Sequence, residues 1–335
     1  MATFAVLGSG GWGTALAVYL SRTPDHRVRL WSARPDSAKL LRDRRENTRQ
    51  LPGVPIPDAV TLTGDPDEAV AGADAWVVAV PTAFLRATVA PFRRLVPPAP
   101  PVVVSLTKGV EHETFRRPTE VLADVLGVPS PVALSGPSHA EEVARGRPTS
   151  LVAAAADVSL AEWVQHHVGG PRLRVYTNPD VVGVELAGAL KNVIGVAAGV
   201  CDGLDFGDNA KAALLTRGLV EMTRFGVACG ADPATFSGLA GLGDLITTCF
   251  SRHGRNRAVG EQLARGTATL DEVLARPQVA EGVYTARSVA GRKDGAGELP
   301  IVTGVYQVLY EGKSPADAVG ELLRRQQRGE NTFLG

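Results

Sequence analysis

Residues 3–20 read TFAVLGSGGWGTALAVYL, and the order of the three parts of this stretch decides the fold of the first half of the chain. Residues 3–7 are a short apolar run with strand composition. Gly8-Ser9-Gly10-Gly11-Trp12-Gly13 follows with the spacing G-x-G-x-x-G, and residues 14–20 have helical composition. In a strand–loop–helix unit of this kind the first glycine permits the tight turn. The second lets the backbone approach a pyrophosphate, and the third lets helix and strand pack closely. Amides at the helix N-terminus then face the anion. The stretch is therefore expected to open a dinucleotide-binding sheet, with residues 8–13 as the cofactor cradle.

Working outward, further strands are expected at residues 28–31, 75–80, 102–106, 131–134, 150–154 and 172–176, alternating with helical stretches. Several are valine and alanine runs without alternation, as in strands covered on both faces. After YTNPD, residues 176–180, long Ala/Gly/Leu/Val stretches of helical length replace them, with helices expected to begin near Asp180, Lys211, Asn256, Thr285, Ile301 and Pro315. A chain of 335 residues suits two cores. The expected architecture is α/β: a doubly wound, mostly parallel Rossmann sheet over residues 1–178, then an all-helical domain over residues 179–335 that carries substrate binding and catalysis.

Acidic and basic residues balance at 35 each, so no global field favours nucleic acid or an anionic membrane. Cys201, Cys229 and Cys249 are far apart and lack zinc-ligand spacing, which fits a reducing cytoplasm and no metal. The first twenty residues are apolar enough to mimic a signal peptide, but a glycine run interrupts them and no basic segment precedes them. Glu185 and Lys191 break the most apolar stretch, so no membrane insertion is expected.

Lysine is scarce: Lys39, Lys108, Lys191, Lys211, Lys293 and Lys313 are all there are. Lys191 stands within LAGALKNVIGVAAG, residues 186–199, among small apolar residues. A lysine can release its proton when desolvated and an arginine cannot, so this position reads as an acid–base residue or, alternatively, as a snorkelling lysine at a tight helix contact. Gly188 and Gly195 share its helix face, which suggests room for a ligand. At the tip of the second strand, Trp31-Ser32-Ala33-Arg34 lacks the carboxylate that would select an unphosphorylated ribose. Arg34 and Ser32 suit a 2′-phosphate, favouring NADP(H), while nearby Asp36 leaves NAD(H) open.

GSGGWGTA, SLTKG, LSGPSHAEEV, ELAGALKNVIGVAAG, GLGDLITTCFSRHGRNR and VAEGVYTA occur in an order that resembles bacterial NAD(P)-dependent glycerol-3-phosphate dehydrogenase over nearly the whole chain. The resemblance implies a Rossmann domain followed by a helical domain like that of 6-phosphogluconate dehydrogenase. It also implies interconversion of dihydroxyacetone phosphate and sn-glycerol 3-phosphate for phospholipid synthesis, by a homodimer. It makes Lys191 the general acid–base residue and Lys108 a contact to both substrate and nicotinamide. Gly136 and Ser138 become the substrate loop, with Ala140 near the cofactor. Asp244, Thr248, Gly254, Arg255 and Asn256 become substrate-site residues, with Arg255 and Asn256 on the phosphate. Arg255, Val279 and Glu281 also become cofactor contacts. Gly254 stands where many relatives have serine, which puts a hydroxyl contact to phosphate there in doubt. Taken bare, Asp244 also reads as a helix cap, residues 251–257 as a basic surface loop, and Lys108 as a surface lysine. His139 reads as structural, and Cys249, without a base partner, as packing.

Overall fold

A computed structural model of the chain describes residues 1–251, 253–276, 279–290, 292, 297–326 and 329. Arg252, inside the GLGDLITTCFSRHGRNR stretch, and Lys293 lie outside the described residues. The chain folds as two compact units: Met1–Lys108 with Arg116–Val181, and Gly109–Phe115 with Val182–Gly335.

In the first unit eight strands form one sheet: β1 (Ala2–Leu7), β2 (His26–Trp31), β3 (Val60–Thr63), β4 (Ala75–Val78), β5 (Val102–Ser105), β6 (Val132–Ser135), β7 (Thr149–Ala154) and β8 (Leu173–Asn178). Their order is β3-β2-β1-β4-β5-β6-β7-β8. The first six are parallel, the dinucleotide-binding order 3-2-1-4-5-6. Direction reverses between β6 and β7, and β7 and β8 are again parallel. The strand at residues 60–63 has no counterpart among the expected ones, because VTLT is four residues long and follows a proline-rich approach.

Helices α1 (Gly11–Leu20), α2 (Pro35–Arg44), α3 (Pro66–Val70), α4 (Thr82–Val89), α5 (Pro118–Leu126), α6 (Ala140–Ala144) and α7 (Val158–Val168) accompany the strands. The period of two sends alternate strand residues to opposite faces. Phe4 and Val6 of β1 join one apolar cluster with Leu16, Leu30 and Val77, whereas Ala5 and Leu7 join another with Trp31, Trp76 and Phe92. Both faces are thus buried, and this is why the strands read as unbroken apolar runs. The signal-like first twenty residues are a central strand and the helix after it.

The second unit is helical: α8 (Val181–Gly203), α9 (Gly207–Ala228), α10 (Pro233–Phe236), a π-turn (Leu239–Gly243), α11 (Asp244–Phe250), α12 (Arg255–Ala264), α13 (Leu270–Leu274), α14 (Glu281–Ala290), α15 (Pro300–Tyr310) and α16 (Pro315–Arg324). By length and composition α8 is apolar enough to cross a membrane, despite Glu185 and Lys191, and 89% of its most apolar window is buried inside the protein. Small residues make that burial close. A Cβ at Gly199 would lie 1.9 Å from the Arg257 carbonyl oxygen, and one at Gly260 would lie 1.9 Å from that of Val196, so α8 and α12 meet backbone to backbone.

On α9 the buried Glu221 carboxylate accepts from the Ile301 amide at 2.8 Å and the Val302 amide at 3.2 Å, covering the start of α15. Burial pushes this carboxyl up from 4.5 to about 7, against the opposing pull of those amides, Arg224 and Arg325. A carboxyl whose folded value is raised contributes stability below its unfolded value, and that contribution is lost as pH rises through the folded one. A shift from 4.5 to about 7 corresponds to about 3 kcal/mol. Denaturant unfolding at a series of pH values is therefore expected to show stability falling as pH rises from 4.5 through about 7, and Glu221→Gln to flatten that fall. An equal slope in both proteins would remove Glu221 as its source.

Candidate active site

In the first unit the glycine loop has the geometry its spacing implies. Gly8 takes φ +119, and a Cβ there would lie 2.5 Å from the Ala79 carbonyl oxygen. A Cβ on Gly13 would lie 2.0 Å from the Gly8 carbonyl oxygen, so helix α1 reaches β1 only because that position lacks a side chain. At Gly10 the nearest atom to a Cβ would be Gln50 Oε1 at 3.5 Å, which leaves a cradle open beside the backbone. The indole N–H of Trp12 is buried without a hydrogen-bond partner among the described residues. Open cradle, orphaned donor and helix N-terminus together fit a dinucleotide pyrophosphate.

Residues without any motif hold this loop. Asn47 Nδ2 donates to the Ser9 carbonyl and to Thr14 Oγ1, each at 2.9 Å, and the Gly11 amide donates to Gln50 Oε1 at 3.3 Å. Ser9 Oγ donates to Ser32 Oγ at 2.9 Å, linking the loop to the tip of β2. Arg34, just beyond that tip, is exposed at the start of α2, with Asp36 exposed in the first turn. Ala140 opens α6 and faces the loop, its Cβ 3.8 Å from where a Gly11 Cβ would lie. His139 is the half-buried residue preceding α6 and makes no side-chain cap.

Lys108, Gly136 and Ser138 come together as one cluster. Lys108 Nζ donates to the Gly136 carbonyl at 2.9 Å, and Ser138 Oγ donates to the same oxygen at 2.8 Å. Gly136 takes φ +117, a backbone state that favours glycine. Lys108 is half-buried rather than a solvated surface residue.

In the second unit Lys191 is 6% exposed, and its amine turns inward rather than snorkelling out. Nζ donates to Asp244 Oδ1 at 2.6 Å and to Thr248 Oγ1 at 2.7 Å. Asp244 is the first residue of α11, preceded by Gly243 at the cap position, so it is not the capping residue, and its carboxylate pairs with the ammonium. The space expected beside Gly195 is filled: a Cβ there would lie 2.7 Å from Thr248 Cγ2 and 3.3 Å from Asn256 Cβ. That glycine admits the partner helices, not a ligand.

A chain of amides starts at the next residue, Asn192. Asn256 Nδ2 donates to Asn192 Oδ1 at 2.9 Å, and Asn256 Oδ1 accepts from the Gly282 amide at 2.9 Å. Asn192, beside Lys191, has no motif-level signal that separates it from its neighbours. Gly282 follows Glu281, which with Val279 is half-buried at the start of α14. Gly254 precedes α12 without a capping side chain, Arg255 is the exposed first residue of that helix, and Asn256 is buried. The first-turn amides of α12 therefore have no intrahelical partners. Burial pushes the Cys249 thiol up to about 12, which leaves it a packing residue at neutral pH. A groove of about 1180 Å³ among α8, α9, α15 and α16 contains none of these residues.

A sheet built to cradle a dinucleotide, on a chain whose helical unit buries a hydrogen-bonded amine, defines a nicotinamide-dependent dehydrogenase. Residues 3–161 match the family model for the NAD-dependent glycerol-3-phosphate dehydrogenase N-terminus, and residues 180–320 match that for its C-terminus. Glycerol-3-phosphate dehydrogenase [NAD(P)+] of Chlorobium luteolum is 47% identical over 97% of this chain and 98% of its own. That of Koribacter versatilis is 46% identical over 98% and 99%. The crystal structure of glycerol-3-phosphate dehydrogenase from Coxiella burnetii superposes with TM-score 0.91 at 37% identity, covering 97% of this chain and 99% of that one. The chain belongs to the NAD-dependent glycerol-3-phosphate dehydrogenase family, and its activity is the NAD(P)-linked interconversion of dihydroxyacetone phosphate and sn-glycerol 3-phosphate.

Proposed function

We propose that Lys191 delivers the proton to the ketone oxygen of dihydroxyacetone phosphate and withdraws it in the reverse direction. The observation that carries this reading is the buried ammonium held at 2.6 Å by Asp244 and 2.7 Å by Thr248. These two contacts fix where the amine stands on α8 and keep it turned away from solvent. Bound nicotinamide supplies the hydride. Lys108, aimed by the Gly136 carbonyl, polarises the carbonyl of the ketone. Ser138 shapes the loop beside it.

Arg255, Asn256 and the first-turn amides of α12 hold the phosphate dianion, where a guanidinium fork and free N–H groups match its oxygens. Gly254 contributes backbone only. Residues 8–13, Arg34, Lys108, Ala140, Arg255, Val279 and Glu281 hold the cofactor, and Arg34 with Ser32 favours NADP(H) over NAD(H). Residues 1–178 act as the cofactor domain and residues 179–335 as the catalytic domain. The protein works as a cytoplasmic homodimer that supplies glycerol 3-phosphate for phospholipid synthesis, without membrane insertion.

Steady-state kinetics of Arg255→Ala test the phosphate assignment. Charged hydrogen bonds contribute roughly 1.5–3 kcal/mol, so KM for dihydroxyacetone phosphate is expected to rise about tenfold to a hundredfold. An unchanged KM would place the phosphate elsewhere.

A further inference from the structure

The acid and the phosphate-holding residues stand on different helices, α8 and α12, so their spacing is set by the contacts that join the two. Asp202 lies in the last turn of α8. One of its carboxylate oxygens accepts from Arg257 Nε, and the other pairs with the Lys211 ammonium of α9. The three side chains are largely buried, at 18%, 20% and 8% exposure for Asp202, Arg257 and Lys211. Breaking such a group leaves an uncompensated buried charge, so its geometry resists displacement.

Arg257 is the third residue of α12, and its own N–H is one of the first-turn donors left without an intrahelical partner. Its guanidinium also reaches Glu261 one turn on, at 3.3 Å, and its carbonyl lies against Gly199 of α8. Lys211 stands 5.1 Å over the Phe250 ring at the end of α11, the helix that carries Asp244 and Thr248. One carboxylate thus ties the first turn of α12 and, through Lys211, the end of α11 to the helix bearing Lys191. Asp202 stands eleven positions beyond Lys191, about 16 Å along the axis, so Asp202 acts at a distance from the reacting carbonyl.

We infer that Asp202 and Arg257 are positioning residues that set where the substrate phosphate is held relative to the Lys191 amine. The inference rests on Arg255, Asn256 and the α12 amides as the phosphate site. Kinetics of Asp202→Asn, Arg257→Gln, the double variant and Arg257→Lys test it, with NADPH and two ketones: dihydroxyacetone phosphate, and dihydroxyacetone, which lacks the phosphate.

For each single variant, kcat/KM for dihydroxyacetone phosphate falls about tenfold to a hundredfold, with kcat lowered as well as KM raised, because a phosphate held off register with the Lys191 amine misplaces the ketone. The values of kcat/KM for dihydroxyacetone and of KM for NADPH stay at wild-type levels. The double variant is no worse than either single, and Arg257→Lys recovers part of the loss. Equal losses on both ketones would reduce the pair to a general stabiliser, and unchanged kinetics would deny it any role; either result overturns the inference. Failure of the phosphate assignment shows separately, as an Arg255→Ala variant with wild-type KM.

Discussion

Replacing Lys191 by alanine is expected to lower kcat for dihydroxyacetone phosphate by about 10²- to 10⁴-fold, the range that a positioned proton donor contributes, while NADPH binding stays intact. The split follows from where the groups lie. The dinucleotide cradle is built from β1, α1 and the residues that brace them, all in the first unit, whereas Lys191 is held by α8 and α11 in the second. Alanine also leaves the Asp244 carboxylate buried without its ammonium, a change that costs stability. Turnover must therefore be measured on protein shown by calorimetry to be folded at the assay temperature. Folded protein with near wild-type kcat would take Lys191 out of the mechanism, and loss of NADPH binding in step with kcat would mean that the substitution had damaged more than the acid.

Gly13→Ala and Gly10→Ala are expected to fail in different ways. At Gly13 a Cβ would stand 2.0 Å from the Gly8 carbonyl oxygen and 2.9 Å from Ala79 Cβ, so α1 must move off the sheet. Overpacking of this kind costs roughly 1–3 kcal/mol, and NADPH affinity falls because the displaced helix carries the cradle amides with it. At Gly10 the added carbon meets nothing closer than 3.5 Å, so the fold tolerates it. The methyl then occupies the cradle itself, and NADPH affinity falls without loss of melting temperature. Fluorescence titration with thermal denaturation separates the two cases, and Gly10→Ala protein that binds NADPH like the wild type would contradict the assignment of the cradle.

The first unit was legible because its signals are local. A glycine loop placed between a strand and a helix, and strands covered on both faces, announce themselves within a few residues, and the structure places seven of the eight strands at or within two residues of their expected limits. The helical unit was less legible. Helix α9 begins at Gly207 and α14 at Glu281, each four residues before the expected start, since no side-chain cap marks the beginning of α9.

The filling of the space beside Gly195 was hidden from the sequence for a related reason. A glycine in a helix signals close approach, but sequence does not say whether a ligand or a neighbouring helix approaches, and here Thr248 and Asn256 fill it. Asn47 and Gln50, which brace the glycine loop, are 38 and 39 residues from their partners, and Asp202 is 55 residues from Arg257. Contacts of that kind leave no periodicity or spacing to read.

The lysine that stood out among so many arginines also offers the most direct test, the kcat of Lys191→Arg with NADPH and dihydroxyacetone phosphate. Arginine keeps the positive charge beside Asp244 and Thr248 but holds its proton at any accessible pH. If the amine is the proton source, this variant binds NADPH yet turns over as slowly as Lys191→Ala. Turnover approaching the wild type would show that charge alone suffices at this position, and that the proton comes from another group.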